Sequence, residues 1–180
     1  MPAAVPAMAL RAALVGALSL GALTACSADH DAEDIDYLMD YSSHPPLAVV
    51  GYPSTATLEI TQQLVWRIAD GKAGELAALA PDEQDDATVE KTADNWIAAF
   101  RKGAGGKVTA EFYDDGSYRQ TVVLYLHDTD QVKQIEVRPV SENRKTVYRV
   151  TMAEPDPGEA TAEAPWIPKT PGGLGSKSAR

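Results

Sequence analysis

The chain has 180 residues, 44% of them hydrophobic and 7% aromatic, with a formal charge of −10 and one cysteine. That length holds one domain with flanking segments. A single cysteine excludes an intrachain disulfide framework and a Cys-rich zinc site, and the acid excess argues against nucleic-acid binding.

Residues 1–25 carry no Asp or Glu, and Arg11 is their only charge. Ala12 to Leu23 form an apolar run. A bilayer span needs roughly 20 apolar residues, so this run is short for one and has the size of a secretory h-region. Met8, just ahead of Arg11, offers an alternative start to Met1. Leu23-Thr24-Ala25-Cys26 follows at once and resembles the lipobox of bacterial lipoprotein precursors. The resemblance covers residues 1–26. It implies that 1–25 are a signal peptide and that Cys26 takes a diacylglycerol and becomes the mature N-terminus. It also implies a lipid anchor at the extracytoplasmic face of the cell membrane, the membrane being a partner through that lipid. Two acyl chains suit stable anchoring, where one is marginal. The plain alternatives are a buried free thiol and an ordinary secretory signal.

Residues 26–46 read as a lipidated acidic tether. Asp29, Asp31, Glu33, Asp34, Asp36 and Asp40 stand there without a Lys or Arg. Such a run is expected to stay solvated and extended. Ile35, Tyr37, Leu38, Met39 and Tyr41 form an apolar island able to dock as a short helix, and Pro45-Pro46 marks the boundary.

Residues 47–153 form the domain. Ile60, Leu64, Val65 and Ile68 recur at helical spacing, with Ser54 or Thr55 to start the helix and Gly71 to stop it. Glu75 to Leu79 make a shorter piece ended by Pro81. Asp85-Asp86 then lead a second long helix, whose stripe is Val89, Ala93, Trp96, Ile97 and Phe100. Arg101-Lys102 fall in its last turn and Gly103 is its expected stop. Beyond it the period changes to two, and residues 108–113, 118–127, 132–140 and 146–152 read as strands joined by short turns. Short turns make sequential strands antiparallel neighbours. The expected class is therefore α+β, two to three helices packed on a four-stranded antiparallel meander sheet. Helices followed by such a meander resemble the cystatin-like and NTF2-like folds, although no strand is found between the early helices. The domain is also similar to small actinobacterial lipoproteins in the Asp70 to Leu79 segment, the Trp96 helix and the Val108 to Val150 strands. The NTF2-like resemblance implies a small-molecule pocket between sheet and helices, with Tyr113, Tyr125 or Asp94 as polar lining.

Residues 154–180 hold five prolines and four glycines and read as a disordered tail, with Trp166-Ile167 as a lone apolar pair.

No motif carries catalysis. His127-Asp128-Thr129-Asp130 has metal-binding residue types but reads more simply as a polar turn. Asp114-Asp115-Gly116 is a hairpin tip rather than an acid pair in a cleft. Gly103 to Lys107 lacks phosphate-loop spacing and runs from helix to strand. Ser42-Ser43-His44 lacks a nucleophile elbow. The sheet's outer face is more informative. Tyr113, Arg119, Tyr125, Arg138 and Arg149 are expected there among Glu111 and Glu136, as cross-strand ion pairs or as a binding face. The resulting expectation is a non-enzymatic lipoprotein without cofactor or metal, binding a protein or cell-envelope partner. A small-molecule binder or enzyme is the alternative.

Overall fold

Two capped helices frame the domain in the computed structural model, which describes residues 32–114 and 118–173. Helix α2 (Thr55–Asp70) starts where the Ser54 hydroxyl accepts the Thr57 N–H at 3.1 Å, and it ends at Gly71 with φ 75°. Helix α4 (Asp86–Ala104) starts where the Asp85 carboxylate accepts the Thr88 N–H at 2.9 Å. Each cap satisfies a backbone donor that the first turn leaves without a partner. Between them lies the short α3 (Ala73–Ala77). Ahead of α2 are helix α1 (Ala32–Ser43) and strand β1 (Ala48–Val50).

The meander follows as β2 (Val108–Asp114), β3 (Gln120–Leu126), β4 (Gln131–Glu142) and β5 (Lys145–Val150). These four are antiparallel in sequence order. Asn143 and Arg144, both at positive φ, close the β4–β5 hairpin tightly enough that Glu142 pairs with Lys145. The described sheet has five strands rather than four, because β1 joins the edge of β2 in parallel, with Ala48 opposite Thr109. That strand, between α1 and α2, is the one missing from the sequence pattern. It is only three residues of an unbroken apolar stretch, which shows no alternation. Gly51 turns the chain out of it at φ 93°, where a Cβ would stand 2.5 Å from the Phe112 carbonyl oxygen. Only glycine fits there.

The inner face of the sheet carries Val108, Ala110, Phe112, Val122, Leu124, Leu126, Ile135 and Val137. It packs on Ile60, Leu64, Val65 and Ile68 of α2 and on Val89, Ala93, Trp96 and Phe100 of α4. Gly103, the expected helix stop, lies inside α4 instead. A Cβ there would stand 2.5 Å from the Thr129 hydroxyl and 2.8 Å from Leu126 Cβ, so glycine allows close approach of helix to sheet.

The two flanks are also packed. In α1, Tyr37 and Tyr41 rest on Trp66 of α2, with ring centroids 5.8 and 6.1 Å away. Part of the expected tether is thus a docked helix, the apolar island overriding the charge around it. At the other end, the segment expected to be disordered continues as α5 (Pro157–Ala160), whose Ala160 joins the inner core. Trp166 and Ile167 then pack on the opposite, outer face of the sheet. Gly172 lies near Val50 of β1. We call residues 161–173 the strap. Proline and glycine content argues against a core within such a segment, but a core already present elsewhere can hold it by two side chains. No helix among the described residues is long and apolar enough to cross a membrane.

Candidate functional site

The outer face carries the side chains that alternate with the inner core: Thr109, Glu111 and Tyr113 of β2, and Thr121, Val123 and Tyr125 of β3. The strap covers the middle of this face. Tyr113, 8% exposed, meets Trp166 edge-on at 5.3 Å between ring centroids. Val123, Tyr125 and Val132 complete the surface beneath Trp166 and Ile167. Tyr125 is 3% exposed, and its hydroxyl donates to Glu111 Oε2 at 3.0 Å. Burial, first, and then the adjacent Glu111 carboxylate push the phenol well above its usual pKa, so Tyr125 remains a neutral donor.

The expected tyrosine and arginine strip is therefore not assembled. Its two tyrosines lie under the strap, and its three arginines are dispersed into separate ion pairs. Arg119 stands exposed, 3.5 Å from Glu136. Arg138 reaches Glu83 at 2.8 Å, and Arg149 makes a two-pronged contact with Glu142 at 2.9 and 2.5 Å. Residue parity places Tyr113, Tyr125, Arg138 and Arg149 on strands, with Arg119 just ahead of β3, but parity says nothing about what later folds over them. Cys26, the expected lipidation site, lies outside the described residues. So do Asp115 and Gly116 of the hairpin tip.

A second polar cluster lies within the inner layer. Lys133 has the same parity as Ile135 and Val137, so it points inward, and it is 3% exposed. Its ammonium pairs with Glu154, donates to the Ala160 carbonyl at 3.2 Å, and sits 4.7 Å from the centre of the Trp96 ring. Glu154 also accepts the Trp96 indole N–H at 2.6 Å, while its backbone bonds Thr92 and Asn95. Burial is the largest influence on Lys133 and pulls its pKa below 10.5; the Glu154 carboxylate opposes that pull. The cluster fixes the root of the strap to α4. Lys133 escapes a reading based on apolar positions alone, but its inward parity is a visible signal.

The third cluster ends α1. His44 stacks on Trp66, with ring centroids 5.3 Å apart. Ser43 Oγ lies 3.1 Å from its Nδ1, and Asp70 Oδ1 lies 3.1 Å from its Nε2. The order serine, histidine, aspartate suggests a triad, but the protons do not permit one. Nδ1 is 2.8 Å from the Asp40 carbonyl, which only accepts, so Nδ1 must donate there. Nε2 must likewise donate to the Asp70 carboxylate. A ring donating at both nitrogens is a cation and has no lone pair for a serine proton. Ser43 instead donates to the Met39 and Asp40 carbonyls, so the group is a helix C-terminal cap.

Burial opposes the His44 charge, but the Asp40 carbonyl and the Asp70 carboxylate outweigh it, leaving the pKa above 6.5. The folded ring therefore binds its proton more tightly than the unfolded one. Its contribution to α1 docking is full below pH 6.5 and is lost as pH rises through the raised value. Amide exchange across α1 is expected to accelerate as pH rises from 6.5 through that raised value, beyond the intrinsic rate change. His44→Gln should flatten that extra dependence.

The expected turn at His127 to Asp130 behaves as a turn. His127 Nε2 lies 2.8 Å from the Thr109 hydroxyl, and no group of three or more metal-ligating side chains occurs among the described residues. An open groove of about 700 Å³ runs along the β4–β5 hairpin, lined by Asp82, Glu83, Arg138 and Glu142. These features define an α+β domain with one tyrosine-rich sheet face covered by its own C-terminal strap. No protein family, curated protein or solved structure matches the chain.

Proposed function

We propose that this chain is a lipid-anchored protein of the extracytoplasmic face of a bacterial membrane, and that its domain binds a protein partner without catalysing a reaction. The observation that carries this reading is Cys26. It is the chain's one cysteine, and it closes the Leu23-Thr24-Ala25-Cys26 motif directly behind an apolar run. A thiol at that place suits thioether formation with a diacylglycerol, and the small residues before it suit peptidase access to the backbone. Support for binding comes from the outer sheet face, where tyrosines and valines form an apolar surface with a polar edge at Glu111. Tyrosine is a favoured anchor in protein interfaces. The NTF2-like alternative needs ligand space between sheet and helices. Leu64, Trp96, Phe100 and Leu124 occupy that space as buried side chains, which favours the first reading.

Cys26→Ala is the test. The wild-type protein is expected in the membrane fraction, with an N-terminal mass that includes the lipid. The variant is expected free of the membrane or as uncleaved precursor. Recovery of the variant as processed, lipid-anchored protein would refute the anchoring.

A further inference from the structure

We propose that the outer face of the sheet is a peptide-binding site filled in this structure by the chain's own strap, and that its partner is a turn-forming, proline-flanked peptide presenting an aromatic–aliphatic pair. This inference deepens the protein-binding reading and rests on it.

The strap itself shows what the face accepts. Its contacting residues are Trp166 and Ile167, and Pro165 and Pro168 flank them directly. The receiving surface is Tyr113, Val123, Tyr125 and Val132, a set that matches one indole and one branched aliphatic side chain. Flanking prolines restrict the bound segment before it binds, which lowers the entropy lost on docking. Trp and Ile supply apolar area, and the edge-on Tyr113–Trp166 geometry adds direction to it.

The manner of attachment makes the strap displaceable. It is not a strand of the sheet. The Ala162 and Ile167 N–H groups each donate to a carbonyl three residues back, at 3.1 Å in both cases. Such local turns survive when the segment leaves the face. The root behaves differently: Glu154 and Ala160 are tied to Lys133, Trp96, Thr92 and Asn95. Thr161, Ala162 and Glu163 between root and plug are exposed. Release therefore exposes two side chains and the patch beneath them, and leaves the inner core intact. A tethered plug acts at an effective concentration on the order of millimolar, so a free peptide competes poorly until the plug is weakened.

The experiment uses the full chain in detergent micelles and a synthetic peptide of residues 163–171. A control peptide carries Ser in place of Trp and Ile. Affinity and chemical-shift changes at Val123 and Val132 are measured for wild type and for the Trp166→Ala, Ile167→Ala double variant. The variant is expected to bind the peptide at least about tenfold more tightly than wild type, and to ignore the control. Equal affinity for both chains, or no binding by a folded variant, overturns the proposal. If the double variant fails to fold, isotope-labelled wild type decides, with peptide supplied well above the plug's effective concentration on the order of millimolar. Faster amide exchange over residues 161–169 supports displacement, and unchanged exchange refutes it. Failure here with Cys26-dependent anchoring intact removes the peptide site alone. Failure of the Cys26 test removes the lipoprotein reading and leaves the peptide result standing.

Discussion

Glu154→Ala is expected to destabilise the domain by about 3 kcal/mol, the lower end of the range for breaking a buried ion pair. The lower end applies because the Glu154 side chain remains 30% exposed, so water already shares its charge. Lys133 has no such relief at 3% exposed. Removing the carboxylate strands an ammonium between the Trp96 and Phe100 rings, with the Ala160 carbonyl as its remaining hydrogen-bond partner. The same change deprives the Trp96 indole of its acceptor. Lys133→Met should cost far less, because a buried charge and its desolvation disappear together. Urea denaturation of both variants checks the asymmetry: equal losses would mean that the pair itself, rather than the stranded charge, sets the cost. The pH dependence has a definite sign. Burial holds the Lys133 pKa below 10.5, so the unfolded chain binds that proton more tightly than the folded one. Wild-type stability should therefore rise with pH between the lowered value and 10.5, and Lys133→Met should lose that rise.

Trp66→Ala is expected to cost about 3–5 kcal/mol in the stability of the part it joins. Its ring is buried, and the Tyr37, Tyr41 and His44 rings all pack against it. Those contacts lie on the side of α2 away from the main core, so the loss should fall mainly on α1. Amides of α1 are expected to exchange at nearly unfolded rates while those of α4 and β3 stay protected. Uniform loss of protection would mean that α1 and the sheet unfold as one unit. Trp66→Phe should retain most of the docking, because the indole nitrogen is buried without a hydrogen-bond partner and little is lost with it.

These outcomes also show which parts of the fold are written locally. The α2 and α4 caps, their apolar stripes and the alternation from Val108 to Val150 are short-range signals, and the structure places helices and strands there. The β1 strand is not such a signal: three apolar residues become a strand only because the β2 edge lies beside them. The strap is similar, since nothing within residues 154–173 can fold alone, and its order comes from Lys133 and from the patch around Tyr113. The candidate face was readable as a set of positions. Tyr113 and Tyr125 share one side of the sheet, as alternation requires. Their burial was unreadable, because it depends on a segment more than forty residues further along the chain. The dispersal of Arg119, Arg138 and Arg149 into three ion pairs likewise depends on where Glu136, Glu83 and Glu142 arrive in space.

The parallel pairing of β1 bears on the order in which the molecule assembles. Strands β2 to β5 are neighbours in sequence and zip through short turns, so they gain contacts as soon as each hairpin closes. Ala48 must find Thr109 across about sixty intervening residues, and three residue pairs return little for closing that loop. The meander and its two long helices should thus form first and present the β2 edge as a template, onto which β1 condenses late. Until then that edge is open to any extended chain nearby, which makes the newly made protein most vulnerable to wrong pairing just before Gly51 settles against Phe112.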